Sequence, residues 1–183
     1  MKKRGVILAG GTGARLQPLT TIVNKHLLPI YNKPMIFYPI ANMMLAGVEE
    51  IRIVTTDEAK PSFQKLVGDG KKWGLEITFA IQKEPGGIVD ALLCAQDFIK
   101  NQKSLVILGD NLLIGPGFGR ELSKYFTKPG TQIFALPTST PEQYGIVNID
   151  QFGNVKNFVE KPKKSKSNLA IPGIYFFDKG WED

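Results

Sequence analysis

A chain of 183 residues has room for one ordinary domain, and with 43% hydrophobic and 22% charged residues it has the make-up of a globular protein. Its 19 glycines and 12 prolines are too few for a collagen-like or low-complexity chain. Lys and Arg number 23 against 17 Asp and Glu, and the net charge of +6 suits an anionic ligand.

Taken in chain order, basic residues Lys2, Lys3 and Arg4 precede an apolar run at 4–9 that stops at Gly10-Gly11, too early for a signal peptide, so a cytoplasmic protein is expected. That run predicts a strand. Residues 35–46 have helical spacing, and the nearly apolar stretch 35–48 is too short to cross a bilayer. A strand is expected at 51–56 and a helix at 61–67, with proline near its start and Gly68 at its end. Strand 76–81, helix 88–99, strand 105–108, helix 118–126 and strand 131–136 continue the alternation. Cys94, the single cysteine, lies among apolar neighbours and is expected as a small hydrophobe; no intramolecular disulfide can form. Residues 145–150 and 154–159 flank Gln151-Phe152-Gly153 as a hairpin, 162–168 forms an exposed loop, and 170–177 closes with a strand. The basic run 161–166 has no interleaved aromatics, and no nucleic-acid-binding motif occurs, so nucleic acid is not an expected partner.

Strand and helix alternating in this way predict an α/β fold of the Rossmann-like, three-layer α/β/α kind, with a mainly parallel, mixed sheet. Ligands of such sheets bind beyond the carboxyl ends of the strands. There the chain places Gly10-Gly11-Thr12-Gly13, Thr55-Thr56-Asp57, Gln82 with Gly86-Gly87, and Gly109-Asp110-Asn111. Glycines allow close backbone approach, so the first group reads either as a phosphate cradle or as a plain turn. It is not a dinucleotide fingerprint, which needs glycine where Leu16 stands, and it lacks the Gly-Lys-Ser/Thr of a P-loop. Arg15 and Lys25 follow within about ten residues of the glycines and suit charge developing on a leaving pyrophosphate.

Gly-Gly-Thr-Gly-x-Arg-Leu-x-Pro-Leu-Thr at 10–20, with Asn-Lys-His-Leu-Leu-Pro-Ile-Tyr-Asn-Lys-Pro-Met at 24–35, resembles the sugar-1-phosphate nucleotidylyltransferases, and most closely those joining dTTP to glucose-1-phosphate. The likeness continues through Gly68-Asp69-Gly70, Trp73-Gly74, Gln82, Gly87, Gly109-Asp110-Asn111, Tyr144-Gly145, Glu160-Lys161-Pro162 and Gly173-Ile174-Tyr175. It implies a nucleotide-diphospho-sugar transferase fold in one domain over 1–183. Residues 1–110 would bind nucleotide, and 111–183 would form a sugar-binding part continued in relatives beyond residue 183. By the same resemblance Leu8, Gly10, Gly11, Gly13 and Arg15 would line the nucleotide and its phosphates, and Lys25 would bridge charge near the α-phosphate. Gln82 and Gly87 would face the pyrimidine, whose imide edge matches the donor and acceptor of an amide. Asp110 would ligate Mg²⁺, although Gly-Asp-Asn is also a good turn. Glu160 would accept sugar hydroxyl hydrogens, Lys161 would neutralise the sugar phosphate unless it is simply a solvated loop charge, and Tyr144, Gly145 and Gly173 would shape the sugar pocket. His26 is given no acid/base role, because nucleotidyl transfer relies on positioning and charge. Tyr31, Phe37 and Tyr38 are expected as packing aromatics.

The resemblance implies dTDP-glucose synthesis for deoxysugar and surface polysaccharide, with possible homo-oligomers. UTP, another hexose phosphate, or a non-catalytic nucleotide-binding role are the alternatives. Three departures bear on this: Ala14 stands where the family commonly has Thr, Asp90 where relatives often place Gln, and the chain ends at Trp181-Glu182-Asp183, before a second metal carboxylate. Nucleotide binding is therefore expected to survive better than turnover.

Overall fold

The computed structural model describes residues 2–84 and 86–181. Its strands are β1 (Arg4–Leu8), β2 (Pro29–Ile30), β3 (Lys33–Pro34), β4 (Glu50–Thr55), β5 (Glu76–Ile81), β6 (Ser104–Leu108), β7 (Gln132–Ile133), β8 (Leu136–Pro137), β9 (Gly145–Ile149), β10 (Val155–Glu160), β11 (Leu169–Ala170) and β12 (Ile174–Phe177). The α-helices are α1 (Phe37–Leu45), α2 (Lys60–Val67), α3 (Gly87–Leu93), α4 (Gln96–Ile99) and α5 (Phe118–Ser123). A six-stranded sheet runs in the order β5-β4-β1-β6-β12-β7, in which β1 pairs in parallel with β4 and β6, β4 with β5, and β12 runs against both neighbours. This is the expected mixed, mainly parallel sheet.

Strand side chains alternate between the two faces, and each face has its own core. Ile7, Ile53, Leu105 and Ile107 join Ile36, Ile40 and Met43 of the α1 region, Phe63 of α2 and Leu122 of α5. Val6, Leu8, Val54 and Val106 join Ala91, Leu92, Ala95, Phe98 and Ile99 from α3 and α4 on the other. Three layers result. Among the described residues no helix is long and apolar enough to cross a membrane.

Four expectations need correction. Residues 88–99 form two helices, because the backbone opens at Ala95 (φ −112°, ψ 7°), which lets Leu92, Ala95 and Ile99 all reach the core. Residues 131–136 and 170–177 are not single strands. Each is divided between the large sheet (β7, β12) and a four-stranded sheet, β10-β9-β11-β8, and Gly173 (φ +70°) makes the second corner. Tyr31 is not a packing aromatic: it is 95% exposed at the tip of the β2–β3 hairpin with a positive φ of 59°. Phe37 packs edge-on against Trp73, and Tyr38 donates to the Ile30 carbonyl, as packing aromatics should. The 145–160 hairpin forms as β9 and β10, closed by Asp150, whose Oδ1 accepts from the amides of Phe152 and Asn154. Cys94 is half-buried, and burial raises its thiol pKa, consistent with an inert side chain.

His26 fills the space beneath the turn that ends β6. It is 1% exposed, and a Cβ added to Gly109 would lie 2.7 Å from its Cδ2. Asn24 Oδ1 accepts from the His26 amide at 3.0 Å and faces Nδ1 at 2.8 Å, so the neutral ring carries its hydrogen on Nδ1. Burial first, and then the positive charge of Lys25, push its pKa down to about 3. The unfolded chain therefore takes a proton at this site near its ordinary 6.5 while the folded chain does not, and stability falls as pH drops from 6.5 toward 3, by at most about 1.4 kcal/mol per pH unit. Thermal melts of His26→Gln should show a shallower loss between pH 6.5 and 4 than the wild type. Gly119→Ala provides a second check: the new Cβ would lie 2.2 Å from Leu45 Cβ and 3.2 Å from its Cα, pushing α5 off α1. Urea denaturation should show a loss of about 1–3 kcal/mol.

Candidate functional site

Three strand ends converge where the sheet order reverses. Beyond β1, the Ala9 amide bonds the Val54 carbonyl at 2.7 Å, and Gly10 and Gly11 follow. Beyond β6, the Gly109 amide bonds the Leu8 carbonyl at 2.8 Å and the chain turns through Asp110. Beyond β5, the Gln82 amide bonds the Thr55 carbonyl at 2.8 Å, and Gly87, at φ +87°, opens α3. Between them lies a cleft of about 290 Å³ that is lined by Leu8, Gly10, Gly11, Lys25, Gln82, Gly87 and Asp110, all singled out from the sequence, and also by Thr12, His26, Ile88, Ala91 and Leu108.

Close approach is required at Gly10, where a Cβ would sit 2.3 Å from Gln82 Oε1. The Gln82 side chain is 5% exposed, and its Nε2 donates to Asp90 Oδ2 at 2.7 Å and to the Gly87 carbonyl at 3.3 Å. The sequence suggested that this amide offers a donor and an acceptor together. In the fold both hydrogens are occupied, and only Oε1 is left to meet a ligand. Asp90 does not bring bare negative charge to the cleft, because it is the acceptor that holds Gln82.

Lys25 Nζ forms an ion pair with Asp110 Oδ2 across the cleft. Burial alone would raise the Asp110 pKa, but the hydrogen bond and charge of Lys25 outweigh it and the net shift is downward, so the carboxylate is ionised at neutral pH. Asn24 places Lys25 by capping the 3₁₀ turn Lys25–Leu27. Gly13 and Arg15 lie just outside the cleft. Gly13, at φ +68°, starts the 3₁₀ turn Ala14–Leu16, with its carbonyl held by Thr20 Oγ1 at 2.8 Å. Arg15 is exposed on that turn, and among the described residues its side chain has no ion-pair or hydrogen-bond partner.

The second group of residues gathers at the open end of the β9–β10 hairpin. Gly145 pairs with Glu160, the Lys161 amide bonds the Tyr144 carbonyl at 3.0 Å, and Lys161 Nζ lies 2.7 Å from Glu160 Oε1. One short segment ties this corner to the cleft. The Ile171 amide bonds the Gly145 carbonyl at 2.9 Å, while the Gly173 carbonyl accepts from the Leu108 amide at 3.0 Å and from Asn111 Nδ2 at 3.1 Å. A Cβ on Gly173 would lie 2.4 Å from Leu108 Cδ1, so a bare backbone is needed there. Asn111 and His26 fix the positions of their neighbours through long-range bonds and burial, which their local sequence does not signal.

Among the described residues no group of three or more His, Cys, Asp or Glu could hold a metal ion. Among the described residues Asp110 is the one carboxylate lining the cleft. That donor set fits a hard divalent cation of the kind that keeps several waters and takes most of its oxygens from substrate phosphates.

The profile of the nucleotidyl transferase family matches residues 4–182. A glucose-1-phosphate thymidylyltransferase of Mycolicibacterium smegmatis is 43% identical over 175 residues, which cover 96% of this chain and 61% of the relative. One from Xanthomonas campestris pv. campestris is 43% identical over 178 residues, 97% of this chain and 60% of the relative. The chain thus spans about three fifths of the length of these relatives. Among solved structures, a Bacillus anthracis protein assigned as a glucose-1-phosphate thymidylyltransferase, in complex with sucrose, superposes with a TM-score of 0.88 at 35% identity over 96% of this chain and 71% of that one. A UDP-glucose pyrophosphorylase with UDP-glucose gives 0.84 at 27% identity, covering 97% and 76%. A profile that runs from the first strand almost to the last residue covers both the glycine loop and the hairpin corner, and on that ground the chain belongs to the nucleotidyl transferase family.

Proposed function

We propose that this chain carries the nucleotide site and part of the sugar site of an enzyme that transfers a thymidylyl group from dTTP to glucose-1-phosphate, giving dTDP-glucose and pyrophosphate for deoxysugar and polysaccharide synthesis in the cytoplasm. The observation that carries it is one cleft holding the bare backbone of Gly10 and Gly11, the Lys25–Asp110 pair and the buried Gln82 amide. The names of the 43%-identical relatives support the choice of substrates. In this reading residues 1–110 bind nucleotide and 111–183 supply sugar contacts.

An oxygen of the sugar phosphate attacks the α-phosphorus in line. A new O–P bond forms, the bond to the β-phosphate oxygen breaks, and pyrophosphate leaves with the electron pair. The phosphate monoester has its second pKa at about 6, so no general base is needed. What the chain must do is bring two anions together. The amides of Gly10, Gly11 and Gly13 face phosphate oxygens, Arg15 has a guanidinium without a partner among the described residues, and Lys25 can exchange one oxyanion, Asp110, for another on the nucleotide. Asp110, freed of Lys25, would hold Mg²⁺, which supplies charge neutralisation on the phosphates. Lys161 balances the sugar phosphate, Glu160 accepts from sugar hydroxyls, and Tyr144, Gly145 and Gly173 shape that wall. Leu8 and Gly87 border the nucleotide.

UTP is the second reading, favoured by the likeness to UDP-glucose pyrophosphorylase, because uracil shares thymine's imide edge. The test is pyrophosphate release from pure protein with Mg²⁺, a nucleoside triphosphate panel and sugar phosphates, with products identified by mass. We expect dTTP and glucose-1-phosphate to give the highest kcat/KM, chelation by EDTA to abolish turnover, and Arg15→Ala or Lys25→Ala each to lower kcat/KM by about 100-fold. Full turnover in both variants overturns the assignment of charges. Tight nucleotide binding by calorimetry without product would make the chain a binding module.

A further inference from the structure

We infer that Asp90 is a positioning residue that holds the Gln82 amide in the one orientation presenting Oε1 to the cleft, and thereby selects a nucleobase whose ring nitrogen carries a hydrogen. The inference rests on the nucleotide reading above and adds to it the residue that sets which base edge is accepted. Asp90 is not among the residues lining the cleft, so it acts through Gln82.

An amide has the same outline either way round, and rotation by half a turn exchanges its donor and acceptor ends. Here the Nε2 end meets two oxygens, Asp90 Oδ2 at 2.7 Å and the Gly87 carbonyl at 3.3 Å. An ionised carboxylate and a carbonyl only accept. Nε2, with two hydrogens, satisfies both, whereas a flipped amide would set three oxygens against one another in a place that is 5% exposed. The local backbone is arranged to allow this. A Cβ on Gly86 would lie 2.8 Å from both Cβ and Cγ of Asp90, so the carboxylate folds back over bare backbone to reach Gln82. Oε1 is left beside Gly10, in contact range of whatever fills the cleft.

An oxygen fixed at that point accepts the ring N–H of thymine or uracil. Cytosine carries a lone pair on the corresponding nitrogen, and lone pair against lone pair repels. Thymine and uracil present the same N–H, so this device separates them from cytosine and leaves their own ratio alone.

The experiment is calorimetric titration of the full chain with dTTP, UTP and dCTP in Mg²⁺ without sugar phosphate, for the wild type and for Asp90→Asn, Asp90→Ala and Asp90→Glu, with thermal melts to confirm folding. Asn can donate as well as accept, and Ala does neither, so in both variants Gln82 is free to turn. We expect the preference for dTTP over dCTP to fall by about 10-fold in both variants and to be restored in Asp90→Glu, with the dTTP to UTP ratio unchanged throughout. A wild type that prefers dTTP, beside folded Asn and Ala variants that keep the same preference, overturns the role of Asp90 alone. A wild type that binds all three alike overturns this inference and leaves the nucleotide reading standing, whereas one that binds none of the three overturns both.

Discussion

Strand β1 is held on both edges, and the chemistry of the cleft depends on that constraint. Residue by residue, Arg4 to Leu8 pair in parallel with Glu50 to Val54 on one side and with Ser104 to Leu108 on the other. The ladder continues past the strands through the Ala9 to Val54 and Gly109 to Leu8 hydrogen bonds. The glycine loop and the Asp110 turn therefore leave the sheet from adjacent rails. Val6 and Ile7, both fully buried, lock the strand from its two faces, so a slip of one residue would exchange the two cores as well as separate Gly10 from Asp110.

The site built on those rails has its charges internally matched. Lys25 and Asp110 neutralise one another within the cleft, and Lys161 and Glu160 do so at the hairpin corner. Each pair joins one group suited to phosphate with one suited to a cation or a hydroxyl. The partly buried Lys25–Asp110 pair tolerates desolvation that a lone charge would not, and a ligand carrying both phosphate and metal can satisfy both members at once, whereas the Lys161–Glu160 pair is exposed to water. Arg15, exposed and without a partner among the described residues, remains in water at the rim.

Much of this was legible in the sequence because it is written locally. Short apolar runs marked β1, β4, β5 and β6, and of the site residues expected from the sequence seven line one cleft: Leu8, Gly10, Gly11, Lys25, Gln82, Gly87 and Asp110. What stayed hidden depends on partners far along the chain. Nothing in residues 131–136 records that Ile133 pairs with Tyr175 while Leu136 pairs with Ala170 in another sheet. The break at Ala95 is set by what the helix packs on, not by a helix-stopping residue. The role of Asp90 was hidden because the bond it accepts from Gln82 spans a loop whose shape the sequence does not give. His26 stands beside Lys25 in sequence, yet its ring is buried beneath Gly109.

The two changes of sheet, at 134–135 and at 171–173, occur side by side. Gln132–Ile133 and Leu136–Pro137 are partnered by the same returning segment on either side of the bend, so a single antiparallel ribbon passes from one sheet into the other. Gly173, at the bend, is also bonded by Leu108 and Asn111, on either side of Gly109 and Asp110. The wall bearing Glu160 and Lys161 is thus geared to the rim bearing Asp110: any tilt of the smaller sheet is a torsion of this ribbon, with its pivot beside the carboxylate.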